Sequence, residues 1–193
     1  MRSLDAVADV YVFAVLFLGL GSMWFHGSLT SSLSWVDGFS MYVFASFLVW
    51  YTVYRLWRTD VTFWLFCFAY PGTVVLFTVL GQVIPGSYTS AFLIGILVLA
   101  YLGLEFGVWV GYRGNWRKSP AGAIVLWVAA ALFMLTATIV WGLSQTGAPL
   151  CHTPEQMATI WQPHAIVWHF FAGIMATLLF FYWRFDDDVA GAA

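Results

Sequence analysis

Five side chains carry the chemistry of this 193-residue chain: Ser22, His26, Asp37, His164 and His169. Three neutral imidazoles that leave one position open form a catalytic zinc set, with water in the fourth place. Zinc lowers the pKa of that water towards neutrality and polarises a bound carbonyl. No glutamate stands between His164 and His169, so the segment is not an HExxH metalloprotease motif. The proton acceptor must come from elsewhere, and Asp37 is the only carboxylate at a matching depth. Ser22 precedes His26 by one helical turn, and positions i and i+4 differ by about 40° around a helix. Its hydroxyl could bond the water or donate to a developing oxyanion.

Each residue also has a packing role when taken singly. A histidine in an apolar helix can bond a carbonyl or a water. Ser22, beside Gly19 and Gly21, could be a small residue that lets two helices approach. Asp37 precedes an apolar run and could start a helix, stabilised by the macrodipole. These readings must all hold independently, whereas a shared site explains why the five residues fall at one level.

That level follows from the elements that carry them. Hydrophobic residues make up 62% of the chain and charged residues 8%, with a mean hydropathy of +0.86. Runs of ~20 apolar residues are what a ~30 Å hydrocarbon core demands. Hydropathy and loop residues together predict an all-α bundle of six membrane spans, at 7–29, 35–57, 61–81, 88–112, 121–143 and 163–185. The first run leads into His26 and not into a small-residue cleavage site, so it is expected to be a true span. No soluble domain or linker interrupts the pattern, which predicts a single transmembrane domain over 1–193. The net charge of −2 is too small to suggest a nucleic-acid partner or a polybasic lipid-binding surface, and no nucleic-acid partner is expected.

The seven basic residues fix the orientation. Arg2, Arg55, Arg58, Arg113, Arg117, Lys118 and Arg184 all fall on one side of a six-span topology, and five or seven spans would scatter them. The positive-inside rule then places both termini in the cytoplasm. Ser22 and His26 lie near the outer end of the first span, Asp37 at the outer start of the second, and His164 and His169 at the outer start of the sixth. The expected site therefore sits towards the non-cytoplasmic side.

These segments resemble the alkaline ceramidases and the wider membrane-hydrolase superfamily that includes the adiponectin receptors. The resemblance is carried by Gly19-Leu-Gly-Ser-Met-Trp-Phe-His26, Trp35-Val-Asp37-Gly-Phe-Ser-Met41 and Gln162-Pro-His-Ala-Ile-Val-Trp-His169, and the eleven-residue step from His26 to Asp37 matches the family's spacing. It covers nearly the whole chain in helix order, but only these segments are specific. It implies zinc on His26, His164 and His169, Asp37 as general base, Ser22 at the oxyanion, and hydrolysis of an amide in a lipid such as ceramide.

Three departures stand out. Family members usually have seven helices with the signature histidine on the second, whereas here it is on the first. Either this branch lacks the family's first helix or the chain begins late; the order of the remaining six favours loss, and homomeric packing could take its place. Cys151 occupies a loop where the family pairs a cysteine with its N-terminal segment; Cys67 is expected inside the third helix and offers no partner, so Cys151 would be unpaired or intermolecular. The last two histidines are four apart in the family and five apart here. On a regular helix that step turns one away from the other by about 140°. A π-bulge would realign them, as would the freer first turn after Pro163, and His152 is the reserve ligand.

Other residues carry weaker signals. Glu105 is a carboxylate well inside the fourth span, read as snorkelling towards the cytoplasmic surface or as facing a cavity or a partner on another helix. Gly103, Gly107 and Gly111 suggest close helix packing, Pro71 a kink, and Asp186-Asp187-Asp188 a solvated end. Two other functions compete with a zinc hydrolase acting on a membrane lipid. A b-type cytochrome would use two facing histidines for haem and leave Asp37 without a role. A receptor or transporter would use the cluster as a ligand site, but no internal repeat accompanies it.

Overall fold

Long apolar runs fold as helices in lipid because a helix satisfies its own backbone hydrogen bonds, and the chain is all-α. A computed structural model describes residues 2–28, 31–57, 59–86, 88–108, 121–144, 148–150 and 167–191. The described helices are α1 (Arg2–Ser28), α2 (Ser31–Trp57), α3 (Asp60–Val83), α4 (Thr89–Gly107), α5 (Ala121–Leu143) and α6 (His169–Gly191). By length and composition, α1 to α5 each contain a segment able to cross a membrane; the apolar part of α6, His169–Phe185, is shorter. Packing divides the chain into two compact units, residues 1–108 and 109–193.

In the first unit α2 is the central helix, packed against α1, α3 and α4. Every residue from Met41 to Leu48 is buried, so this stretch is covered on all sides. Tyr11 of α1 lies against Phe44 and Phe47, and Phe47 meets Phe66 and Tyr70 of α3 edge-on at 5.9 and 6.1 Å. Lipid tails are as apolar as these rings, so their gain comes from dense contact rather than escape from water.

The start of α3 is fixed by a reciprocal cap. The Thr59 hydroxyl accepts from the Thr62 backbone N–H at 3.2 Å, and the Thr59 N–H donates to Thr62 Oγ1 at 3.0 Å. The helix runs on through Pro71 to Val83. Trp50 of α2 donates from Nε1 to Thr73 Oγ1 at 2.8 Å, and Thr73 donates onward to the Ala69 carbonyl. Gly86 then turns the chain towards α4 with a φ of +153°, which L side chains rarely adopt.

In the second unit α5 packs against α6. Ala123, Ala130 and Ala137 recur every seven residues on α5 and are all buried, as are Ala172, Ala176 and Leu179 of α6. Such small residues allow two backbones to approach in a membrane. Phe133 meets Phe171 edge-on at 4.9 Å, and Trp141 stacks on Trp168 at 5.5 Å.

Several boundaries differ from the sequence expectation. α1 begins at Arg2 and α2 at Ser31, because the serines read as a loop continue the helix. α6 extends past Phe185 through the three aspartates to Gly191. The predicted ends at 109–112 and 163–166 lie outside the described residues.

Candidate functional site

The site can be followed residue by residue within each unit. In the first unit, Ser22 and His26 lie in the last two turns of α1. Asp37 is not a helix-start residue. α2 begins six positions earlier, and its first turn carries no acidic residue. A carboxylate in that position needs partners, since a buried polar group without hydrogen bonds is destabilising.

Two partners come from α1. The Ser22 side chain hydrogen-bonds the Asp37 carboxyl, and the His26 imidazole lies within Coulombic reach of it. Ser22 and Asp37 are both buried. His26 is half-buried, with its Nε2 edge screened from solvent and its ring 5.0 Å from that of Phe25. Asp37 Oδ1 is also buried and has no hydrogen-bond partner among the described residues. A carboxylate accepts at both oxygens, so Asp37 retains unused accepting capacity.

A tight α1–α2 seam supports this pairing. Gly21 faces Ser40 of α2, and the Ser40 hydroxyl donates to the Asp37 backbone carbonyl at 2.7 Å. Gly19 has no such neighbour. The two glycines of the motif therefore have different surroundings.

In the second unit, His169 is the first residue of α6 and is half-buried. Val167 and Trp168, just before it, are π-helical. That geometry widens the turn in the sense a five-residue histidine step requires. His164, His152 and Cys151 lie outside the described residues. Among the described residues, no group of three or more His, Cys, Asp or Glu side chains is placed to hold a metal ion.

The first unit holds a second polar group, in which Glu105 follows one of its expected alternatives, a partner on another helix. Glu105 of α4 does not snorkel; it is fully buried. Arg55 of α2 pairs with it through Nη1, and Thr52 of α2 donates to the same Oε1 at 3.0 Å. Tyr51 lies beneath the guanidinium, 5.7 Å from ring centroid to Cζ. The signal was available in the topology. Arg55 and Glu105 both lie near the C-terminal ends of helices separated by one crossing, so they share an end of the unit.

Cys67 is a free, half-buried thiol within α3, as expected. Comparison with known proteins gives no match to a family model, a curated protein or a solved structure.

Proposed function

We propose that this protein is an integral-membrane, zinc-dependent hydrolase that cleaves an amide bond in a membrane lipid such as an N-acyl sphingoid base. The observation that carries this reading is the Ser22–Asp37 hydrogen bond beside His26, in which a buried carboxylate keeps one oxygen without a hydrogen-bond partner among the described residues. A buried polar atom left without a partner calls for an explanation, and a further ligand at that oxygen is the one this reading supplies.

The residues at hand fit a zinc site in kind: nitrogen donors on His26, His164 and His169, and a carboxylate near one of them. When bound there, zinc would supply Lewis acidity to a water and to the scissile carbonyl. Asp37 accepts the proton from the attacking water as its oxygen bonds to the carbonyl carbon. Ser22 turns its single hydroxyl donor from Asp37 towards the oxygen that gains negative charge. Asp37 then delivers the proton to the departing nitrogen as the C–N bond breaks, giving a carboxylic acid and an amine. The apolar helices support entry of the substrate from the bilayer. The sorting of basic residues supports cytoplasmic termini and a site towards the opposite side.

Elemental analysis of purified protein tests this directly. About one zinc per chain is expected in the wild type, and its loss in His26→Ala. Wild-type protein purified without chelator and free of metal would overturn the proposal. An absorbing haem band in place of zinc would move the histidines to the cytochrome reading.

A further inference from the structure

Gly19 and Gly21 look equivalent in sequence, but they are about 200° apart around α1 and meet different surroundings. A Cβ on Gly21 would lie 3.0 Å from Ser40 Oγ, 3.1 Å from Ser40 Cβ and 3.4 Å from the Val36 carbonyl oxygen. A Cβ on Gly19 would meet nothing within 4 Å. Nor can Ser40 move aside easily. It is completely buried, and its hydroxyl is tied to the backbone carbonyl of Asp37. A push on Ser40 is therefore a push on the residue that Ser22 must reach.

We propose that Gly21 is a positioning residue, whose lack of a side chain sets the α1–α2 separation at which Ser22 reaches Asp37. Ser22 follows Gly21 directly and bonds the Asp37 carboxyl, while Asp37 lies one turn before Ser40. The close approach of Gly21 to Ser40 and the Ser22–Asp37 bond thus share one stretch of each helix. A hydrogen bond weakens steeply as its partners separate, so a widening at Gly21 acts directly on this one. This inference stands on the seam geometry; its catalytic consequence rests on the hydrolase reading above.

Infrared spectroscopy of protein carrying ¹³C-labelled aspartate tests it, with the Asp37 band identified by difference against Asp37→Asn. Ser22→Ala supplies the reference band for a carboxyl that has lost its serine partner. Gly21→Ala is expected to move the band to that reference position, Gly19→Ala to leave it in place, and Gly21→Ala with Ser40→Gly to restore it. An unshifted band in Gly21→Ala, an equal shift in Gly19→Ala, or no restoration in the double variant overturns the inference. If Gly21→Ala does not fold, Ser40→Thr keeps the hydroxyl and adds a methyl group to the same seam, with the same expected shift. On a fluorogenic long-chain N-acyl amide, Gly21→Ala should lower kcat by about 10- to 100-fold with KM unchanged, and the double variant should recover it. Absence of hydrolysis by the wild type would count against the hydrolase reading, while the band pattern would still decide the role of Gly21.

Discussion

Two polar groups are buried along α2 in the first unit, one near each end, and they differ in how their charge is balanced. Towards the C-terminal end, Glu105 receives a guanidinium and a hydroxyl on one oxygen, and its charge is neutralised by Arg55. Towards the N-terminal end, Asp37 has a serine hydroxyl and a nearby imidazole, and one of its oxygens lacks a hydrogen-bond partner among the described residues. The first arrangement is balanced in charge and holds two helices together. The second keeps capacity for a further group. α2 thus meets two buried carboxylates, its own Asp37 and Glu105 of α4, and their partners rather than their residue type distinguish them.

The comparison predicts opposite responses to similar substitutions. Replacing Glu105 with glutamine removes the counter-charge of a buried guanidinium, which should destabilise the protein by about 3–5 kcal/mol. Replacing Arg55 and Glu105 together with methionine and leucine should recover most of that loss. Chemical unfolding in detergent measures both. If the double variant is as unstable as the single one, the ion pair is not the balanced contact described here. Asp37→Asn keeps an acceptor for Ser22 and leaves no buried guanidinium unpaired, so it should lower unfolding stability by only about 1 kcal/mol or less, the net value of one hydrogen bond. Hydrolysis of an N-acyl lipid should fall by about 10²- to 10⁴-fold. Equal destabilisation by the two substitutions would erase the distinction.

Ser22→Ala sharpens the chemical side of the comparison. Loss of one oxyanion donor typically lowers kcat by about 10²- to 10³-fold. The stability change should be only about 1 kcal/mol, the net value of one hydrogen bond. Turnover assays paired with unfolding curves would separate the two effects. A loss of stability with turnover unchanged would make Ser22 a packing residue.

Much of this organisation was legible in the sequence. Helix positions followed from apolar runs, and Cys67 lies inside α3 where the sequence placed it. The pairing of Ser22 with Asp37 was foreshadowed by a shared depth on consecutive helices. What hydropathy could not supply was the rotation of each helix about its axis. Gly103 and Gly107 suggested a packing stripe, but each lies about 200° around the helix from Glu105. Glu105 takes the inward face, and no described atom lies within 4 Å of a Cβ placed on either glycine. Once the carboxylate found Arg55, the glycines faced outward. The start of α2 was misjudged for a different reason. Serines compete for backbone hydrogen bonds and favour helix ends, so Ser31–Ser34 read as loop although they lie in the helix. This error also made Asp37 look like a helix-start residue.

The smallest expected effect comes from a polar contact of α2 that carries no charge. Trp50 donates to Thr73, and the Thr73 hydroxyl donates in turn to the Ala69 carbonyl, two residues before Pro71. Thr73→Val keeps the shape, removes both hydrogen bonds and leaves no charge behind. Side-chain hydrogen bonds between membrane helices average about 0.6 kcal/mol, so a loss of roughly 1 kcal/mol or less is expected, well below the Glu105→Gln value. Unfolding of Thr73→Val and Glu105→Gln under identical detergent conditions tests the ranking. A Thr73→Val loss as large as that of Glu105→Gln would show that α2 is held by hydrogen bonding in general. A much smaller loss would place the larger share of its polar anchoring in the one neutralised charge.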